Sequence, residues 1–210
     1  MEIAIAILGV LLAYMLGSIP TAVWVGKTFY GIDVRTQGSG NAGATNTIRV
    51  LGAKAGVPVL IIDVFKGWLA VYLVSFFIAD SFSDGQFIII RIIAAVAAVL
   101  GHVFPLFAGF RGGKGIATLL GVGIALYPVA VFVVVAIFVV MLILTKYVSL
   151  SSITASISFP FLVIFLFNPG SLALIILSVF VGIFVPITHR KNISRLLSGT
   201  ESKFSFKKKK

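Results

Sequence analysis

Three polar stretches of this chain carry residue types suited to holding an anion. The first is Gly38-Ser39-Gly40-Asn41-Ala42-Gly43-Ala44-Thr45-Asn46-Thr47-Ile48-Arg49. Its glycines let the backbone turn sharply and aim several N–H groups at one point, a geometry that suits phosphate. Ser39, Asn41, Thr45 and Asn46 add neutral hydrogen-bonding groups. Arg49 adds a cation about three helical turns after Ser39 if the segment is helical. The second stretch, from Gly101 to Thr118, contains His102 and the run Arg111-Gly112-Gly113-Lys114-Gly115. A nucleotide-binding P-loop is excluded, because Ala108 stands where its first glycine is required and Gly115 where Ser or Thr is required. What remains is a glycine turn entering a helix with a lysine at its start, which still favours an anion. In the third stretch, His189, Asn192 and Arg195 recur every three residues and on a helix can point at a single ligand.

Each stretch also has a plainer reading. The first could be a flexible polar loop joining two membrane helices, and the third a solvated basic helix end. Phe104, Phe107 and Phe110 fit an interfacial aromatic belt as well as the wall of an acyl-chain groove. His102 follows a glycine at a membrane boundary and is suited to general base, phosphate ligand or helix cap.

The elements that position these stretches are membrane helices. The sequence is 60% hydrophobic and 11% charged, far from the balance of a soluble domain. The apolar runs are continuous, unlike the alternation of a membrane β-barrel. The chain therefore reads as all-α, a single integral membrane domain over 1–210 with a basic tail at 203–210. It carries no internal repeat of the kind seen in inverted-repeat transporters. The N-terminal run reads as a retained helix rather than a signal peptide.

Apolar runs lie near 3–25, 56–79, 87–101, 116–144, 149–167 and 171–187. As one helix, 116–144 would be about 43 Å long at ~1.5 Å per residue, against a hydrocarbon core of about 30 Å. Gly123 and Tyr127-Pro128 sit near its middle. If the run folds back there, every loop rich in Lys or Arg falls on one side of the membrane and every loop lacking them on the other. The positive-inside rule thus predicts a hairpin of two helices of about 14 and 17 residues, hence seven transmembrane helices, N-terminus outside and C-terminus cytoplasmic.

Asp63 and Lys66, three apart within the second run, share a helix face and can pair. They could lock packing or serve beside an active site. Arg91 is expected to snorkel towards Asp80 or Asp84. The net charge of +11 fits cytoplasmic loops of a membrane protein rather than nucleic-acid binding, since the basic residues flank apolar spans. With no cysteine, disulfides, thiolate metal sites and a cysteine nucleophile are excluded. Two histidines and six acids give no metal cluster.

The three stretches, in order, resemble the signature blocks of the bacterial acyl-phosphate-dependent glycerol-3-phosphate acyltransferases. They read Gly-Ser-Gly-Asn-x-Gly-Ala-Thr-Asn-x-x-Arg, then Gly-His-x-Phe-Pro-x-Phe-x-x-Phe-basic-Gly-Gly-Lys-Gly, then His-Arg-x-Asn-Ile-x-Arg-Leu-x-x-Gly-x-Glu. Gly17-Ser18-Ile19-Pro20 and Asp63-Val64-Phe65-Lys66-Gly67 resemble the family as well. Arg111 stands where the family usually has lysine, which keeps the charge but changes the donor geometry.

The resemblance implies transfer of a fatty acyl group from acyl phosphate to the 1-hydroxyl of glycerol 3-phosphate, giving lysophosphatidic acid and phosphate, the first acylation of phospholipid biosynthesis. It implies catalytic roles for Ser39, His102 and Lys114, and substrate contacts from Gly40, Asn41, Thr45, Asn46, Arg49, Gly112, Gly113, His189, Asn192 and Arg195. The Ser39–Asn41 turn would hold the acyl phosphate. Arg49, Lys114, His189 and Asn192 would hold glycerol 3-phosphate, with Arg195 in support, and Thr45 and Asn46 would complete the polar wall. The base would be His102 or an oxygen of the acyl phosphate itself. The expectation is a monomer in the bacterial inner membrane, in contact with membrane lipid, without metal or cofactor, its active site cytoplasmic.

Rival readings fit less well. Acyltransferases using acyl-CoA or acyl-carrier protein often carry aspartate five residues after histidine, but Phe107 and Ser194 follow His102 and His189 at that distance. A transporter or scramblase would want more mid-membrane polar groups than Asp63 and Lys66. A polybasic membrane adaptor would leave the glycine loops unexplained.

Overall fold

Every apolar run becomes helix, because a backbone in hydrocarbon must satisfy its hydrogen bonds within the segment. The computed structural model of the chain describes residues 1–78 and 81–205. They form two units, Met1–Leu126 and Tyr127–Ser205. The first holds α1 (Glu2–Gly17), α2 (Thr21–Tyr30), α3 (Ala44–Leu51), α4 (Ala53–Ile78), α5 (Asp84–Val103) and α6 (Ile116–Leu126). The second holds α7 (Pro128–Thr145), α8 (Val148–Phe161), a π-wound turn (Leu162–Phe167), α9 (Leu172–Thr188) and α10 (Arg190–Leu197). Among the described residues, four helices are long and apolar enough to cross a membrane, or up to six if two bent pairs each count as one span. Of the tail expected at 203–210, residues 206–210 lie outside the described residues, as does Asp80.

The long run 116–144 breaks where the sequence suggested. Tyr127 leaves helical geometry, and Pro128 opens α7 at a position where its missing N–H leaves no helical bond unmade. The pieces are 11 and 18 residues long, so α6 is only about 16 Å in length. The first run is different from its expectation. It does not continue to Val25 as one helix but breaks after Gly17, and α1 and α2 meet at 41°. Pro20 lacks an N–H and disfavours helical geometry at Ile19, and polar groups from α4 occupy the gap. Arg91 makes contacts beyond those expected of it, and Asp80, one of its two expected partners, lies outside the described residues. Arg91 Nη2 donates to the Ala125 carbonyl at 2.9 Å, in the last turn of α6, and its guanidinium lies 5.2 Å over the Phe87 ring. A helix that ends within apolar surroundings leaves carbonyls unpaired, and Arg91 satisfies one of them.

Small residues set the helix spacing in the first unit. A Cβ on Gly17 would strike the Ala98 carbonyl, and one on Gly101 the Tyr14 carbonyl, so α1 and α5 touch backbone to backbone. Gly67 meets the Thr118 carbonyl and Gly121 the Val64 carbonyl, which brings α4 equally close to α6. Close approach of this kind replaces the hydrophobic drive that lipid does not supply between helices. Ala6, Ala13, Ala70, Ala94 and Ala98 continue the seam with Val74 and Ile78.

Gly67→Val should therefore push α4 from α6 and destabilise the fold by about 1–3 kcal/mol, the usual range for overpacking. The melting temperature of the purified protein in detergent measures this, and an unchanged value contradicts the close crossing.

Candidate active site

The helix break at Ser18–Pro20 is held by a buried charge pair. Lys66 and Asp63 lie one turn apart on α4, and Lys66 Nζ stands 2.8 Å from Asp63 Oδ1. The same ammonium donates to the Ile19 carbonyl at 2.8 Å, and the Thr21 hydroxyl donates to Asp63 Oδ1 at 3.0 Å. Asp63, Lys66 and Thr21 are all buried, so the charges neutralise each other out of contact with water. His102, in the last turn of α5, joins this cluster. Its Nδ1 is 3.7 Å from Asp63 Oδ1, beyond hydrogen-bond range, and has no other hydrogen-bond partner among the described residues. On its other side, a Cβ on Gly113 would strike His102 Nε2.

The first loop is organised from within by Asn46. Its Oδ1 accepts the Ser39 N–H at 2.8 Å, and its Nδ2 donates to the carbonyls of Val34 at 2.7 Å and Gln37 at 3.1 Å. Asn46 is 2% exposed, so it builds the loop rather than forming the polar wall expected of it. The Gly40 N–H donates to the Gln37 carbonyl. Two of the N–H groups expected to face an anion are thus committed inside the turn, while the Ser39 side chain remains exposed. Gly38 and Gly40 take positive φ of 62° and 71°, the conformation that glycine alone adopts without strain. The N–H groups of Ala44, Thr45 and Asn46 precede the first helical bond of α3, from Thr47 to Gly43, and give the helix start its positive end. Asn41 and Thr45 are part-buried beside it, and Arg49 lies in the last turn of α3.

The second loop folds back on α5. Gly112 and Gly113 donate their N–H groups to the carbonyls of Val103 and His102, so here too the glycines serve close approach rather than N–H donation to a ligand. A Cβ on Gly113 would lie 3.2 Å from the Ala42 carbonyl, which puts the two loops side by side. Lys114 follows at once, part-buried, before α6 begins. Between the loops lies a cleft of about 590 Å³, lined by Asp33, Arg35, Thr36 and Gly40 from one side and by Ala108, Gly109, Arg111 and Gly112 from the other.

Asp33 and Arg35 precede the Gly38–Arg49 stretch and were not among the candidate site residues. Arg35 Nε and Nη2 bind the two oxygens of Asp33 at 3.0 and 2.8 Å. Hydrogen bonds from the Arg35 side chain hold the Asp33 carboxyl well below its usual range, against the opposing effect of burial, and Asp33 raises the Arg35 guanidinium in turn. The signal available in the sequence was an acid and an arginine two apart at the start of a polar loop.

In the second unit, α9 and α10 meet at 60° about His189. His189 Nδ1 lies 2.8 Å from the Val185 carbonyl, which only accepts, so Nδ1 carries the proton. Asn192 and Arg195 do share a target, but it is Glu201. Asn192 Nδ2 donates to Glu201 Oε1 at 2.7 Å, Arg195 Nε to Oε2 at 2.6 Å, and the Ser149 hydroxyl to Oε1 at 2.9 Å. Burial alone would raise the Glu201 carboxyl; the hydrogen bonds from Arg195, Asn192 and Ser149 outweigh it and lower it. Glu201, the only acid after Asp84 in the chain, was the hint that these basic residues need a partner.

A family model for glycerol-3-phosphate acyltransferase matches residues 7–199. The chain belongs to that family. It is 48% identical over 197 residues to a glycerol-3-phosphate acyltransferase of Fusobacterium nucleatum subsp. nucleatum, covering 94% of this chain and 97% of that one. To the glycerol-3-phosphate acyltransferase of Chlorobaculum tepidum it is 43% identical over 224 residues, covering 95% and 97%. Its fold matches that of PlsY, an integral membrane glycerol 3-phosphate acyltransferase, at 38% identity. For the glycerol 3-phosphate form the TM-score is 0.83, with 95% and 96% of the two chains covered. For the lysophosphatidic acid form it is 0.81, covering 96% of each. The residues matched by the family model take in the Asn46-built loop and the glycine turn against His102.

The Asp63–Lys66 pair makes a direct prediction for this acyltransferase. Asp63→Ala leaves Lys66 buried without a counter-charge and should cost about 3–5 kcal/mol. The double replacement Asp63→Leu with Lys66→Met should recover most of that loss. Thermal unfolding of the three proteins measures it, and an Asp63→Ala variant as stable as wild type contradicts the pairing.

Proposed function

We propose that this acyltransferase moves a fatty acyl group from acyl phosphate to the 1-hydroxyl of glycerol 3-phosphate, releasing lysophosphatidic acid and orthophosphate. The observation that carries the proposal is the match along nearly the whole chain to PlsY, whose solved forms are named for glycerol 3-phosphate and lysophosphatidic acid. Those molecules are the acceptor before acylation and the product after it. The cleft between two glycine-rich loops, each followed by a basic residue, supports a donor that is itself a phosphate. Acyl phosphate is a mixed anhydride whose leaving group needs no strong acid, which suits a site with few carboxylates.

In the reaction, the 1-hydroxyl oxygen attacks the acyl carbon. The ester C–O bond forms, the bond from the acyl carbon to the phosphate oxygen breaks, and the hydroxyl proton ends on the departing phosphate. Burial of His102 between Asp63 and Gly113 favours the donor's own phosphate oxygens as the proton acceptor. His102 then supports the glycine turn, and the rate comes from positioning and charge stabilisation. Ser39, with Gly40 and Asn41, holds the acyl phosphate. Arg49, Lys114, His189 and Asn192 hold glycerol 3-phosphate, Arg195 assists, Gly112 and Gly113 shape the approach of Lys114, and Thr45 borders the site. With α6 counted as a span, the bundle has seven, N-terminus outside, with the site on the cytoplasmic side of a bacterial inner membrane. The chain acts as a monomeric, single catalytic domain, and its basic tail binds anionic lipid.

Lys114→Ala should lower turnover by about 100-fold or more, as expected for removing a phosphate-binding cation, while the circular dichroism of the helices stays unchanged. His102→Gln should retain at least about a tenth of wild-type turnover if the substrate supplies the base, since general bases contribute about 100-fold or more. Wild-type turnover in Lys114→Ala sinks the assignment, and near-complete loss in a folded His102→Gln protein makes His102 the base.

A further inference from the structure

Within the cleft, one side chain does something that neither the family signature nor the proposed chemistry requires. Arg35 is gripped by Asp33 on one side and reaches across to the second loop on the other. Its Nη1 donates to the Ala108 carbonyl at 2.8 Å and to the Arg111 carbonyl at 3.3 Å. With Nε and Nη2 on the two Asp33 oxygens, four acceptors surround a group that has five N–H donors. The Arg35 backbone adds a further tie, since its N–H also donates to Asp33 Oδ1 at 3.0 Å. A guanidinium so neutralised and so occupied is a poor anion ligand. It is well suited to fixing one loop against another.

What it fixes is unusual backbone. Between the two carbonyls that Arg35 holds lie Gly109 and Phe110, both at positive φ, 63° and 58°. Glycine adopts this region freely, but phenylalanine does so only when its surroundings impose it. The Phe110 N–H closes the turn onto the Pro105 carbonyl at 2.9 Å. The chain then runs directly into Gly112, Gly113 and Lys114, where Gly112 and Gly113 are bound to the end of α5 and Gly113 faces Ala42 of the first loop. The strained turn therefore sets the register of the Gly112–Lys114 run relative to the first loop.

We propose that Arg35 is a positioning residue for acyl transfer, a clamp that joins the two loops by holding the 108–111 turn in its strained form and so places Gly112–Lys114 against the Ser39–Ala42 turn. The clamp rests on the acyltransferase reading above for its effect on turnover, but not for its effect on the backbone. Lys27, 3.4 Å from Asp33 Oδ2 and largely exposed, touches the same carboxylate without reaching the second loop, and it serves as a control.

The test uses the full-length protein purified in detergent, as wild type and as Arg35→Lys, Arg35→Ala, Asp33→Asn and Lys27→Ala. Lysine keeps the charge but cannot span four acceptors. For Arg35→Lys and Asp33→Asn the KM for glycerol 3-phosphate should rise about tenfold or more, with kcat falling less, and hydrogen exchange in peptides covering 105–115 should quicken. Lys27→Ala should stay within about twofold of wild type in both readouts. Methylguanidinium should restore part of the Arg35→Ala activity and methylammonium should not. If Arg35→Ala does not accumulate as folded protein, Arg35→Lys decides alone. Unchanged exchange in 105–115 overturns the clamp whatever the kinetics, because a residue that only binds substrate alters KM without freeing this turn. If wild type yields no product from any acyl donor, the acyltransfer reading fails instead, and exchange alone judges the clamp.

Discussion

A lysine and an aspartate without water around them would be costly in a membrane bundle if either stood alone. Asp63 and Lys66 avoid that cost by lying one helical turn apart at 2.8 Å and by sharing their remaining capacity with the broken end of α1. The ammonium donates to the Ile19 carbonyl, which also takes the Thr21 N–H at 3.0 Å, and the carboxylate accepts the Thr21 hydroxyl at the start of α2. The bend between α1 and α2 follows, and with it the point where the first polar loop leaves the bundle. His102 lies against the same carboxylate, so the exit of the second loop from α5 is set by the same pair. Gly67, one residue beyond Lys66, brings α6 against α4. The buried pair thus fixes where both loops of the cleft begin.

From there each loop is built inward before it can act outward. Asn46 uses its whole amide to fold the first loop, and Gly112 and Gly113 return their N–H groups to the end of α5. Glu201 gathers Ser149, Asn192 and Arg195 in the same manner. A cleft made this way is preorganised, because the groups that shape it are already paired with one another. Asn46 and the glycines form the frame, and the exposed Ser39 side chain stands on it.

The helices were legible in the sequence because continuous apolar runs allow little else, and the helix break at Tyr127-Pro128 was legible from length and proline together. The Asp63–Lys66 pair could be read from its spacing of three. The break at Ser18–Pro20 was not legible, since what stabilises it comes from side chains some forty residues away in a helix that local pattern cannot connect to it. The contact of Arg91 with α6 was hidden for a related reason. Its acceptor is a backbone carbonyl, Ala125, and carbonyls have no signature in a sequence. The same holds for Arg35, whose far partners are the carbonyls of Ala108 and Arg111. Glycine-rich loops suggested N–H groups aimed at an anion, but whether an N–H faces a ligand or a neighbouring carbonyl depends on packing. At Ser39, Gly40, Gly112 and Gly113 the neighbours took them.

The central claim is that this membrane acyltransferase draws its acyl group from a phosphate anhydride. The most direct measurement gives the purified protein labelled glycerol 3-phosphate with acyl phosphate, acyl-CoA or acyl-carrier protein in parallel, and follows lysophosphatidic acid and orthophosphate. The account predicts lysophosphatidic acid with acyl phosphate only, one orthophosphate released for each ester formed. Equal or faster product from acyl-CoA or acyl-carrier protein, with none from acyl phosphate, would contradict it.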